Sequence, residues 1–352
     1  MDLIIVGLGW AGVRHAQAVR ELEAEGGVRL VAVVDPDRAH REAEVSRLRA
    51  AGVMGYDDLG EALASHAGAG VVVATPHGLH AEGVCAAAAA GGGVMGEKPI
   101  APTLDEADAM IAACEQAGVT LMVAESIRYN RVTRKLTKIV ASGRVGQPLA
   151  ARFSFIGRGG QQYGYPGRRA WLGRPDRGGS GIWLLNGIHH VSLARMLLGE
   201  VERVTASEVR SASLDAPVEA TVMALLQFAS GAVAHMTSSA ELRGYKRFRD
   251  VVVFGSEGTV CTDLREPERI ELYRGQAEQP DVIDAAELES PGPADGAVEQ
   301  APVHFVRQMR EFVNAVAQER EPATSGRGER ATLAVIVAGY ESMRTGAAVE
   351  VR

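Results

Sequence analysis

The sequence predicts an α/β fold in two parts: a doubly wound parallel sheet at the N-terminus, then an α+β domain on a mostly antiparallel open sheet. Three observations carry this. The apolar run Leu3-Ile4-Ile5-Val6 stops at Gly7-Leu8-Gly9-Trp10-Ala11-Gly12, short strands then alternate with helical stretches to about residue 125, and beyond that strand-like runs predominate. At 352 residues the chain is long enough for two domains of roughly 100 to 200 residues each. The expected division is 1–125 and 126–352, with the last helices packing back on the first domain.

Leu3 to Val6 is a continuous apolar run, the pattern of a strand buried on both faces. It feeds G-x-G-x-x-G. Gly7 permits the tight turn, Gly9 lets the backbone approach a pyrophosphate, and Gly12 lets the next helix pack close to the strand. The helix over 11–24 presents free N–H groups and the positive end of its dipole to phosphates. A second buried strand, 28–34, ends in Asp35, 23 residues past Gly12, where an acidic group takes the ribose hydroxyls of a dinucleotide. These features predict a Rossmann dinucleotide-binding domain. The carboxylate repels a 2′-phosphate and so favours NAD, while Arg38 offers a positive charge that leaves NADP possible.

The alternation continues with helices from Asp37 and after Asp57-Asp58, a strand over 70–75 ending in Thr75-Pro76-His77, and an alanine-rich helix over 79–90. The strand 93–96 delivers Glu97-Lys98-Pro99, Thr103-Leu104-Asp105-Glu106 forms a capping box, and 121–124 is a further strand. A lysine at the carboxyl end of such a strand points at the ligand crevice rather than at bulk water.

Past Arg128-Tyr129-Asn130 an amphipathic helix carries Leu136, Ile139 and Val140 on one face. Strands are expected over 149–156, 202–209, 220–228, 232–238 and 249–254, several alternating apolar and polar residues. The loop 157–179 holds Arg158, Arg168, Arg169, Arg174 and Arg177 with Tyr163, Tyr165 and Trp171, a composition suited to an anionic substrate group or to a solvated loop. Gly178-Gly179-Ser180-Gly181 leads into a helix bearing Asn186 and His189, three apart and so on one face. Imidazole is suited to accept a hydroxyl proton as hydride leaves the same carbon. Residues 275–300 read as a long exposed loop, followed by helices over 302–318 and 329–344 and a strand over 348–351.

Several function classes are disfavoured. With 37 basic and 44 acidic residues the net charge is −7, so no basic field exists for nucleic acid. No run approaches a membrane span. Cys85, Cys114 and Cys261 are scattered, with neither a disulfide framework nor a metal-ligand spacing, which fits a cytoplasmic protein without a metal.

Set together, Gly7-Leu8-Gly9-Trp10-Ala11-Gly12 with His15, Thr75-Pro76-His77 with His80, and Glu97-Lys98-Pro99 resemble the glucose-fructose oxidoreductase, inositol dehydrogenase and rhizopine catabolism (Gfo/Idh/MocA) family. The resemblance extends over essentially the whole chain, since Trp171, Gly178-Gly179 and Asn186-Gly187-Ile188-His189 are similar to the family's second signature. It implies an NAD(P)-dependent oxidoreductase acting on a sugar, sugar acid or cyclitol, with a cis Lys98-Pro99 bond. Lys98 and His189 are then catalytic. Gly7, Gly9, Trp10, Ala11, Gly12, Asp35, Arg38, Thr75, Pro76, His77, His80, Glu97 and Lys98 hold the cofactor, and Lys98, Arg128, Tyr163, Trp171, Asn186 and His189 meet the substrate. It also implies a homodimer or homotetramer formed through the C-terminal sheet.

The chain departs from the pattern at His77, where asparagine is usual, and at Leu185 and Ser192, where many members carry aspartates. Those two positions keep open a dinucleotide-bound sensor on the same fold, and a dehydrogenase of a non-sugar cyclic diol is the third reading.

Overall fold

The computed structural model describes residues 1–48, 50, 52–156, 171–175, 179–210, 217–241, 250–264, 269–284 and 301–352. The chain divides into two compact units, the first formed by Met1–Tyr129 and 301–330, the second by 130–284 and Ala331–Arg352.

In the first unit the elements run β1 (Asp2–Val6), α1 (Trp10–Glu23), β2 (Arg29–Val34), α2 (Arg38–Arg47), β3 (Met54–Tyr56), α3 (Leu59–Ser65), β4 (Gly70–Val73), α4 (His80–Ala89), β5 (Val94–Glu97), α5 (Leu104–Ala117) and β6 (Leu121–Ala124). The sheet order is β3-β2-β1-β4-β5-β6, and every pairing is parallel. This is the doubly wound arrangement, with its switch point between β1 and β4. The continuous apolar strands fit that place, because Ile4, Ile5, Val71, Val72 and Val73 have no exposed surface. α5 begins at the expected capping box, Thr103 accepting from the Glu106 N–H and Glu106 accepting from the Thr103 N–H, and it stops at Gly118 in the left-handed region.

The expected division after residue 125 falls after Tyr129, and the chain crosses back: Phe305, Met309 and Phe312 of the helix Val303–Ala317 belong to the core of the first unit, with Leu3, Ile5 and Val19.

The second unit holds α6 (Arg131–Ala141), β7 (Pro148–Ile156), α7 (Ile188–Leu198), β8 (Val201–Arg210), β9 (Glu219–Phe228), β10 (Val233–Ser239), β11 (Val251–Gly255), β12 (Gly258–Thr262), β13 (Arg269–Arg274), β14 (Asp281–Asp284) and β15 (Val349–Glu350). Its sheet runs β14-β13-β12-β11-β7-β10-β9-β8-β15, antiparallel except where β7 and β10 pair in parallel. Alternation sends Val222, Ala224 and Leu226 of β9 inward. Met223 and Leu225 stand on the opposite face, where the cross-strand register also places Val233 and Phe254, all at least 40% exposed.

Several features differ from the sequence expectations, among them β13, which falls where no strand is expected. β3 is only Met-Gly-Tyr, too short to show a period. β14 lies inside the stretch read as loop, an edge strand whose exposed Asp-Val-Ile-Asp lacks an inward face. The helix Gly326–Thr345 starts three residues before the expected Glu329, because Gly326 packs where a Cβ would come within 2.7 Å of the Leu121 side chain. Its glycines mark close packing, not a loop.

Among the described residues no helix is long and apolar enough to cross a membrane, and no cluster of three His, Cys, Asp or Glu side chains is placed to hold a metal ion.

Candidate active site

The glycines between β1 and α1 each have a separate cause. Gly7 lies at φ +84°, and a Cβ there would sit 2.7 Å from the Ala74 carbonyl oxygen at the end of β4. A Cβ on Gly12 would fall 1.8 Å from the Gly7 carbonyl oxygen, so the first turn of α1 can approach the strand end only without a side chain. Gly9 meets no protein atom within 4 Å. The room at Gly9 therefore lies beside the N-terminus of α1, which has no side-chain cap and no acidic residue in its first turn. That fits a pyrophosphate.

Leu8 between them is held at both backbone groups. Its N–H donates to Asp35 Oδ2 at 2.9 Å, and its carbonyl accepts from His40 Nε2 at 2.7 Å. Asp35 Oδ1 accepts from the Asp37 N–H at 3.0 Å, so a buried carboxylate at the end of β2 shapes the loop. His40 was not anticipated. Arg38 is exposed and paired with Glu42, Trp10 is about half exposed, and the Arg14 guanidinium stacks 3.9 Å over its ring.

Across the switch point, β4 ends in Thr75-Pro76-His77. Thr75 Oγ1 is buried and makes no hydrogen bond within the chain, an orphan acceptor and donor beside the cradle. His77 is buried, and that burial, with the nearby charges of His80 and Lys98, pushes it well below the ordinary histidine range. His80 has no exposed surface, and its two ring nitrogens lie 2.9 Å from the Pro99 carbonyl and 3.1 Å from that of Thr75. It braces the two strand ends against each other and reaches a ligand only through that backbone.

β5 ends in Glu97, and the peptide bond between Lys98 and Pro99 is cis. Glu97 turns inward: Oε1 lies 2.9 Å from His15 Nε2, and Oε2 accepts from the Lys98 N–H at 3.0 Å. Burial raises its pKa, but the His15 hydrogen bond and the charges of His15, Lys98 and His80 outweigh this and hold it below the ordinary carboxylate range. Lys98 is half-buried. Desolvation lowers its pKa below the ordinary lysine value, opposed by Glu97 and Glu125. Glu125, fully buried at the end of β6, was missed although it stands after its strand as Lys98 does after β5. The guanidinium of Arg128 donates to the Ala323 carbonyl at 3.2 Å and pairs with Glu329 at 3.3 Å. Those bonds tie it to its own unit.

In the second unit the glycine-rich approach, which the described residues enter at Gly179, is held by backbone bonds, with Ser180 N–H donating to Leu172 O and Arg174 N–H to Trp171 O. The helix then opens with a π segment, Trp183–Gly187, before α7. Asn186 lies in the π turn and is buried, and His189 is half-buried on the first turn of α7. The mixed winding changes the plain helical spacing between them. Leu185 and Ser192 are both buried, as is His190, which packs edge-on against Phe155. Trp171 is half-buried, and Tyr163, Tyr165, Arg158, Arg168, Arg169 and Arg177 lie outside the described residues.

Glu219, the first residue of β9, anchors this helix and was not anticipated. Its Oε1 accepts from the Trp183 N–H at 3.0 Å and from the Tyr340 hydroxyl at 2.8 Å, and that hydroxyl in turn accepts from the Leu184 N–H at 3.3 Å. A Cβ on Gly181 would collide with Glu219 Oε2 at 1.9 Å, which explains the glycine. Burial raises the Glu219 pKa against the opposing pull of these bonds. A raised pKa means the contribution is full below the unfolded value, about 4.3, and is lost as pH rises through the folded value. Glu219→Gln should therefore gain melting temperature relative to wild type as pH is raised from 5 to 8, and Glu219→Ala should lose about 1 to 3 kcal/mol, both read by thermal denaturation.

A doubly wound sheet with this cradle at its switch point defines a dinucleotide-binding protein. Residues 1–125 match the model described as the oxidoreductase family, NAD-binding Rossmann fold, and residues 133–261 match the GFO/IDH/MocA C-terminal domain. The chain belongs to the GFO/IDH/MocA family, and is an NAD(P)-dependent oxidoreductase. It is 31% identical over 360 residues to D-apiose dehydrogenase of Paraburkholderia graminis, covering 99% of this chain and 89% of that one. It is 30% identical over 351 residues to D-xylose 1-dehydrogenase (NADP(+)) 2 of Haloferax volcanii, covering 97% and 98%. Among solved structures, aldose-aldose oxidoreductase from Caulobacter crescentus, complexed with glycerol, superimposes with a TM-score of 0.83 at 25% identity, covering 99% of both chains.

Proposed function

We propose that the protein is an NAD-dependent dehydrogenase that moves a hydride between an alcohol carbon of a sugar, with a pentose the favoured class, and the nicotinamide ring. The observation that carries this reading is Lys98, a half-buried lysine at the ligand end of β5 whose pKa is lowered by burial. The two relatives at 30% identity or above are named for D-apiose and D-xylose, both pentoses.

The residues fit the cofactor. Gly7 to Gly12 and the N-terminus of α1 would hold the pyrophosphate, Asp35 the adenosine ribose with Arg38 beside it, and Thr75, Pro76 and His77 the nicotinamide half. When bound, NAD supplies the hydride acceptor. Lys98 would hold the reacting hydroxyl oxygen and stabilise its developing negative charge. His189 would take the hydroxyl proton in oxidation and return it in reduction, with Asn186, Trp171 and Tyr163 orienting the sugar. His189→Ala should lower kcat by about 10²- to 10⁴-fold, with cofactor affinity unchanged by fluorescence titration.

The apolar open face of the large sheet, bearing Met223, Leu225, Val233 and Phe254, supports a homodimer or homotetramer. Light scattering should give a mass at least twice the 37.2 kDa of one chain, and Leu225→Arg should reduce it. The cysteines are all unbridged, which suits a reducing cytoplasm. Turnover with a panel of pentoses, hexoses, anhydrosugars, sugar acids, inositols and cyclic diols, followed as reduced nicotinamide, tests the substrate class. A cyclic diol outperforming every sugar would move the protein to the competing reading.

A further inference from the structure

Behind Lys98, Glu97 has both carboxylate oxygens committed: one to His15 Nε2 at 2.9 Å, the other to the backbone N–H of Lys98 at 3.0 Å. His15 comes from the second turn of α1, has no exposed surface, and packs edge-on against Phe305 with ring centroids 5.0 Å apart. Its other nitrogen, Nδ1, is buried without a hydrogen-bond partner. That asymmetry fixes which nitrogen carries the hydrogen between the two residues. An N–H on Nδ1 alone would be a buried donor with no acceptor while Nε2 faced the carboxylate without a hydrogen to give, so the N–H that meets Glu97 is on Nε2 and donates. Glu97 must then accept, which an ionised carboxylate does and a carboxylic acid presenting its own proton does not.

We propose that His15 is a positioning residue for Lys98: by donating to Glu97 it keeps a carboxylate ionised next to the lysine, and that carboxylate keeps the half-buried lysine charged. The proposal rests on the reading of Lys98 as the lysine at the reacting hydroxyl. It assigns the histidine of the glycine-loop helix a task in the chemistry that neither cofactor contact nor packing on Phe305 supplies.

Among the described residues, Lys98 faces Glu97, Glu125 after β6 and His77 after β4, and Glu97 faces His15, Lys98 and His80 from α4. The depressed pKa of Glu97 agrees with donation from His15, and the support that Glu97 gives Lys98 against desolvation agrees with the second half of the link. Loss of the donor leaves Glu97 buried with one fewer bond to its charged form, so it neutralises more easily and Lys98 loses its first counter-charge.

The test is the pH midpoint of Lys98 acetylation by trace acetic anhydride, read by mass spectrometry on the peptide from the full folded chain. It needs no substrate, so a failed sugar screen leaves it intact and its own failure leaves the dehydrogenase reading intact. His15→Phe keeps the ring against Phe305 and removes the donor; it should lower the midpoint by about 1 pH unit or more. His15→Gln, whose amide nitrogen reaches the same place, should restore the wild-type midpoint. Glu97→Gln should lower it as His15→Phe does, and it carries the test if the phenylalanine variant does not fold. An unchanged midpoint in His15→Phe or Glu97→Gln, or an equal fall in His15→Gln, would overturn the proposal.

Discussion

Replacing Lys98 with methionine should lower kcat by about 10²- to 10⁴-fold while NAD binds as before. Methionine keeps the unbranched stem but removes the ammonium, so the loss falls on the developing oxyanion and not on packing. The reduced cofactor's fluorescence on binding separates the two contributions. The pH dependence adds a second check, because the lysine pKa is already lowered by desolvation and opposed by Glu97 and Glu125. In the wild type, turnover should fall on the alkaline side as Lys98 loses its proton, at a pH below the ordinary lysine value of about 10.4. That limb should be missing from the residual activity of Lys98→Met. Near-normal turnover in the variant would remove Lys98 from the chemistry.

Gly12→Ala should be the most damaging change of a single methyl group in the first unit. The new Cβ would lie 1.8 Å from the Gly7 carbonyl oxygen and 2.9 Å from its carbon, and neither atom belongs to a side chain that can swing away. Either α1 lifts off the sheet or the loop turns. Overpacking of this kind costs about 1 to 3 kcal/mol, equivalent to a roughly 5- to 150-fold weaker cofactor affinity if the loop absorbs it. If the helix absorbs it, the melting temperature falls instead. Gly9→Ala makes the contrast: its Cβ meets no protein atom, so the apoprotein should melt as the wild type does while NAD binding weakens. Loss of stability at Gly9, or its retention together with full affinity at Gly12, would show that the roles of the two glycines have been misassigned.

The cradle was legible because its causes are local in the sequence. Gly7, Gly9, Gly12 and Asp35 follow strand ends whose apolar runs mark themselves, and Lys98 is conspicuous as a charge at the end of one. What was not legible is what holds those residues. His15 and Glu97 are 82 residues apart, and Trp183 and Glu219 are 36 apart, so no spacing rule pairs them. Glu125 directly follows the end of β6 as Lys98 follows β5, so its position was legible in the same way, whereas His40 lies inside α2 and reaches the Leu8 carbonyl across 32 residues. The π turn at Trp183–Gly187 could not be read, because its sequence is as compatible with an α-helix; the buried Glu219 carboxylate and Trp183, whose indole donates to the Ile336 carbonyl at 3.1 Å, mark where it forms. β3 and β14 failed for another reason, being too short or too exposed to carry a period.

The most direct test of a sugar dehydrogenase is to follow the hydrogen itself. Purified protein is incubated with NAD and a pentose deuterated at every carbon, and the reduced nicotinamide is analysed by mass spectrometry. Deuterium should appear on the nicotinamide ring, at a rate that drops about 10²-fold or more in Lys98→Met. Deuterium retained on the sugar or released to water, with no labelled nicotinamide from any sugar in the panel, would contradict it.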